Sequence, residues 1–262
     1  MAINGVIVYF PWGAGGNFVK NIINIDTQFE FIDDNPNLVE YFTKESRYNW
    51  LVNYYRQIVT PDSWLVREWS IRNKLYNRYY LNNGPGYWNP NKKLVYDCHG
   101  DKSSTEAIIE DRKLQLWDIA GVARGIKEEQ ISPWSLQDCH HVFLIPNDVE
   151  YITKIYNSKN PTINQFEYKE PELKNRQQLA LAANKEMTEN LLELHTHLTV
   201  NNKIVYKHTA DDLYTENGWK LVDSILSDLG IDVATDQVKS LHSLWLDGTK
   251  QVYSNYFGSY LK

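Results

Sequence analysis

Residues 5–23 read GVIVYFPWGAGGNFVKNII, and the fold turns on this stretch. Residues 5–10 form a short, continuously apolar run of β-branched and aromatic side chains, the pattern of a strand buried on both faces. It runs into Pro11, Trp12, Gly13, Ala14, Gly15, Gly16 and Asn17. After these, Phe18, Val19, Ile22 and Ile23 fall at helical spacing. The predicted order is strand, glycine-rich turn, helix, with Asn17 as the expected N-cap. Glycines let the backbone bend tightly and approach a ligand, and free amides at a helix start favour an anion. The turn is not a phosphate loop of the Gly-Lys-Ser/Thr kind, because Asn17 and Phe18 follow its last glycine. Nor does the spacing of Gly13, Gly15 and Gly16 fit a dinucleotide fingerprint. Hydrolysis of ATP with bound magnesium is therefore disfavoured, whereas a phosphate or sulfate held mainly by backbone amides stays open. So does a tight connection with no ligand.

Outward from this unit the alternation repeats. LVYDC at 94–98, HVFLI at 141–145 and KIVYK at 203–207 read as further short strands. Helical patterns lie between and after them, at 104–125, 148–156, 175–198, 218–229 and from 236 onward, with Gly230 just past the end of the fourth. Short apolar strands alternating with helices imply an α/β fold: three layers, with a mainly parallel central sheet flanked by helices. Residues 37–93 read as a helical insertion and loop after the first strand–helix unit. Trp50, Leu51, Tyr54, Tyr55 and Ile58 form one stripe in it, and Trp64, Trp69, Ile71, Leu75 and Tyr79 another. The chain has 262 residues, 42% of them hydrophobic, and reads as one domain over 1–262.

Composition narrows the function. Lys and Arg number 27 against 33 Asp and Glu, a net charge of −6, which lacks the basic footprint of a nucleic-acid binder. Two cysteines are too few for a disulfide scaffold, so a reducing, cytoplasmic setting is expected. No apolar run nears the roughly 20 residues that cross a bilayer, and the first residues do not read as a signal peptide. Neither nucleic acid nor membrane is an expected partner.

In a parallel sheet, ligands collect beyond the carboxyl ends of the strands. That rule selects residues 13–17, 97–100, 146–148 and 208–209, all expected on one edge. His99 follows a buried strand and precedes a glycine, and its near-neutral titration suits a general base or, equally, a structural histidine. Cys98, Cys139, His140 and His141 are expected at opposite strand ends, too far apart to share a metal. His195 and His197, two apart on a helix, are expected in solvent. Arg67, Arg72, Lys74 and Arg78 make a basic run that reads as a solvated face or an anion contact. The loop at 81–93, with Tyr87 and Trp88, reads as a surface connection or a cover over an acceptor.

In this order the elements resemble the sulfotransferase family, whose P-loop-like fold takes 3′-phosphoadenosine 5′-phosphosulfate (PAPS) as donor. Residues 10–18, FPWGAGGNF, resemble its 5′-phosphosulfate loop. LVYDCH at 94–99 is similar to its strand ending in a catalytic histidine. VFLIPNDV at 142–149 is similar to the strand and helix start that hold the 3′-phosphate. Asp211, Asp212, Leu213, Leu229 and Gly230 match its C-terminal pattern. The resemblance implies His99 as the base for the acceptor and Gly13, Gly15, Gly16 and Asn17 as the donor loop. The loop lysine has no counterpart, and Lys20 is the replacement expected to supply charge. Leu144 stands where the family has its 3′-phosphate arginine, which leaves Thr153 and Lys154 as substitutes. The implied activity is sulfuryl transfer to a hydroxyl of a small-molecule or glycan acceptor, without a metal. The alternative is a non-catalytic protein of the same fold, binding or structural, for example a homo-oligomer or a component of a phage or other virus particle. A divergent nucleotide kinase comes third.

Overall fold

A computed structural model of the chain describes residues 5–29, 43–56, 93–110, 138–159 and 170–257. In chain order these hold β1 (Gly5–Tyr9), α1 (Gly16–Ile23), α2 (Lys44–Arg56), β2 (Leu94–Cys98), α3 (Lys102–Ile109), β3 (His140–Ile145), α4 (Val149–Lys159) and α5 (Glu170–Val200). Then come β4 (Val205–Thr209), a 3-10 turn (Ala210–Tyr214), α6 (Trp219–Asp228) and α7 (Thr235–Phe257).

The described strands form one sheet in the order β2-β1-β3-β4, and every pairing is parallel. All five residues of β1 are buried, as its unbroken apolar run requires. Alternate residues feed two separate cores. Val6, Val8, Val142 and Leu144 face α1, α2, α6 and α7, where Phe18, Tyr54, Leu226 and Trp245 lie. Ile7, Tyr9, Phe143 and Ile145 face Ala107 and Ile108 of α3 and Leu191, Leu194 and Leu198 of α5. The result is a three-layer α/β architecture. Because β2 and β3 flank β1 on opposite sides, the strand order reverses at β1, the position where open parallel sheets leave a crevice at their carboxyl edge.

Several boundaries differ from the sequence reading. The α1 helix is capped by Gly15, at φ 79°, and starts at Gly16, so Asn17 already lies inside it. The left-handed cap turns the chain two residues earlier than an Asn cap would. β4 begins at Val205 rather than Lys203, because α5 runs to Val200 and its exit is closed by the Lys203 amide on the Leu198 carbonyl at 3.0 Å. α3 closes at Ile109. Positions 111–125 of the expected helix lie outside the described residues, as do the basic run at 67–78, the loop at 81–92 and Ile58. Gly230 follows α6 at φ 63° as expected, with the Ile231 amide returning to the Leu226 carbonyl at 2.8 Å. Among the described residues no helix is long and apolar enough to cross a membrane.

Candidate functional site

The glycine turn sits at the carboxyl end of β1, at the reversal of strand order. Gly13 and Gly15 have φ of 88° and 79°, a conformation that costs other L-residues about 1–2 kcal/mol. Protein atoms occupy the directions in which side chains would project. A Cβ on Gly13 would lie 2.5 Å from the Ile152 carbonyl oxygen, and one on Gly15 2.9 Å from Leu213. One on Gly16 would overlap the Phe10 ring. The Gly13 carbonyl accepts from the Tyr214 hydroxyl, and the Trp12 carbonyl accepts from Asn184 Nδ2 at 3.0 Å. Trp12 stacks on Tyr156 with centroids 5.1 Å apart. Packing alone therefore accounts for these three glycines. On the backbone side the Gly15 carbonyl accepts from the amides of Phe18 and Val19. Among the described residues the amides of Gly15, the cap, and Gly16, the first residue of α1, meet no hydrogen-bond acceptor.

The neighbouring β2 end is built differently. Asp97 pairs in register with Val8 and so shares its face, the one covered by α1. Lys20, one turn into α1, reaches it: Nζ lies 2.6 Å from Asp97 Oδ1, with the two side chains 17% and 8% exposed. The other oxygen, Oδ2, lies 3.8 Å from His99 Nε2. His99 Nδ1 is 3.2 Å from the Phe10 carbonyl oxygen. A carbonyl only accepts, so Nδ1 carries the proton, and in the neutral ring Nε2 carries the lone pair. The Phe10 ring meets the imidazole edge to face at 4.6 Å. The strand ends at Gly100, φ 82°, whose carbonyl accepts from Asn190 of α5 at 2.9 Å.

The structure thus brings His99, Lys20 and the turn of Gly13, Gly15, Gly16 and Asn17 to one edge, joined through Phe10 and Asp97. Thr153 and Lys154 are placed elsewhere. Thr153 is buried, donates to the Val149 carbonyl at 2.7 Å and accepts from Asn184 Nδ2 at 2.9 Å. Lys154 is exposed. It lies two residues from both Ile152 and Tyr156, the α4 positions that touch Gly13, hence about 200° around the helix from each. From α4 it is Lys159 whose ammonium lies over the rings of Tyr214 and Trp245, at 5.5 and 5.1 Å; Tyr214 bonds Gly13 and Trp245 lies against Gly15. Asp97 is the site residue whose role the sequence left undecided. Its signal was a carboxylate inside an otherwise apolar buried strand.

Cys98 pairs with Tyr9 and His140 with Val6, three positions apart along β1, so these groups sit at different levels of the sheet as expected. Burial pushes the Cys98 and Cys139 thiols up to about 12, values of inert core groups rather than nucleophiles. His141 is fully buried and shares a 2.8 Å hydrogen bond with the Tyr9 hydroxyl. His195 is not simply in solvent: its ring packs edge to face on Phe143 at 5.3 Å.

Chemically, this edge offers an imidazole with a fixed tautomer, a carboxylate and an ammonium beside it, and helix-opening amides one strand away. Set against known proteins, the chain matches no family model, no curated protein and no solved structure.

Proposed function

We propose that the chain is a divergent sulfotransferase-like enzyme, which passes a sulfuryl group to a hydroxyl of a small-molecule or glycan acceptor with His99 as the base. The observation that carries this reading is the Phe10 carbonyl on His99 Nδ1. It leaves Nε2 as the atom able to take a proton, at the sheet edge where the helix-opening amides of Gly15 and Gly16 lie.

The residues fit PAPS at one end only. A phosphate or sulfate suits the amides of Gly15 and Gly16 and the positive end of α1. At the other end, Thr153 already spends its hydroxyl on Val149 and Asn184 and Lys154 lies on the far side of α4. Among the described residues nothing fits a 3′-phosphate.

A second reading, a non-catalytic protein of this fold acting by binding or assembly, is favoured by the ion pair itself. Lys20, the expected loop cation, is engaged by Asp97 at 2.6 Å, and the turn glycines are demanded by packing. Thermal denaturation with 3′-phosphoadenosine 5′-phosphate separates the two. At about 100 times its Kd a ligand stabilises the fold by roughly 2.7 kcal/mol, so the enzyme reading expects a rise in melting temperature, together with loss of transfer in His99→Ala. No rise at millimolar ligand supports the binding or structural reading.

A further inference from the structure

We propose that Lys20 and Asp97 form a positioning pair for His99: the ammonium holds one carboxylate oxygen so that the other faces Nε2, the atom at which the acceptor proton is taken up. This deepens the reading of His99 as the base and rests on it.

Stability does not explain the pair. Replacing a buried ion pair with packed apolar residues is often neutral or favourable, and the neighbouring positions on this face, Val6, Val8 and Val95, are apolar. A charged Asp97 in β2 opposite a charged Lys20 in α1 is therefore retained against an available simpler packing. The geometry gives it a use. Asp97 Oδ1 belongs to Lys20 at 2.6 Å, while Oδ2 lies 3.8 Å from Nε2, too long for a hydrogen bond in the resting site and close enough to act on the charge that forms there. The step balances simply. The O–H bond of the acceptor breaks, its electron pair stays on oxygen, and the proton forms an N–H bond at Nε2. The imidazolium so made faces a carboxylate, and an opposite charge within about 4–6 Å favours the charged form by roughly 1–3 pH units.

Among the described residues, the charged groups that the packed elements bring to the imidazole are Asp97 of β2 and, through it, Lys20 of α1. On the α3 side, Asp101 turns its carboxylate into the helix cap, accepting from the Ser104 amide at 2.9 Å and the Ser103 hydroxyl at 2.8 Å. From α5 the neighbour at this strand end is the neutral Asn190, on Gly100.

The test is the NMR titration of the His99 ring in the full chain, assigned by difference with H99Q. Asp97→Asn is expected to lower the midpoint by about one pH unit. The same substitution made on a Lys20→Met background is expected to move it by less than half as much, because the carboxylate has lost the group that aims it. An unchanged midpoint in D97N, or an equal or larger shift on the K20M background, overturns the proposal. Should either variant fail to give a folded spectrum, the ring nitrogens of the unaltered protein decide at pH 8. Protonated Nδ1 with bare Nε2 is the expected tautomer, and the reverse assignment overturns the proposal. None of these readouts requires transfer activity, so they stand apart from the ligand-binding test of the enzyme reading.

Discussion

The ends of β1 and β2 lie side by side on one sheet edge and are built on opposite terms. After β1 the chain is shaped by packing: its glycines clear Ile152, Leu213 and Phe10, and aromatic rings close it from behind. At the end of β2 the chain carries Asp97 and His99 side by side, with Lys20 brought across from α1 to meet the aspartate. A glycine-rich turn is thus weaker evidence of a ligand than its sequence suggests. A carboxylate on a buried strand is stronger evidence.

The largest effect expected from breaking this contrast is at the turn. Gly13→Ala combines a positive φ with a clash against the Ile152 backbone and should cost about 2–5 kcal/mol in chemical denaturation. Gly230→Ala serves as the control. It has φ 63° and nothing within 4 Å of its Cβ position, so only the backbone penalty of about 1 kcal/mol remains. Equal losses at the two positions would show that the turn is not tightly packed.

A smaller effect sharpens the packed side. Burial holds the His242 imidazole below its usual value, although its hydrogen bond to the Leu213 carbonyl acts the other way. The ring lies beside the stacked pair of Phe18 and Trp245, 5.9 Å from each. The folded state therefore binds this proton less readily than the unfolded chain. The stability it contributes is present above the unfolded value of about 6.5 and is lost as pH falls below it. Denaturation between about pH 7 and pH 5 should show this loss, and His242→Gln, which keeps a donor for Leu213, should flatten part of the slope.

The smallest effect concerns the reverse face of β2. Cys98 is 3% exposed and pushed up to about 12, chiefly by burial. Neither it nor Cys139 should react with iodoacetamide at pH 8 in the folded protein, while both should react on unfolding. Rapid labelling of Cys98 in the native state would show that the β2 end is open on both sides.

The sequence made the layers legible because burial on both faces leaves an unambiguous mark. Residues 5–9, 94–98 and 141–145 are strands where the apolar runs said they would be. It misplaced β4 by two residues, because KIVYK is the apolar stretch whereas the ladder is set by pairing His141 with Val205 and Leu144 with His208. It put the α1 cap at Asn17 because side-chain capping is visible in a sequence and a left-handed Gly15 is not. At the site, His99 stood out by its place after a buried strand and before a glycine, whereas Lys20 was named only through the resemblance, in place of the family's loop lysine. Thr153 was named in the same way, and no local pattern announces that Asn184, 31 residues along the chain, takes up its hydroxyl. The Lys20–Asp97 pair bridges 77 residues, and only the register of β1 against β2 reveals that both belong to one face.

The most direct test of the account is to follow the amide resonances of Gly15 and Gly16 and the His99 ring while titrating 3′-phosphoadenosine 5′-phosphate. The account predicts that all three move together along one saturating curve. Resonances that stay still at millimolar ligand, or a response confined to residues away from this edge, would contradict it.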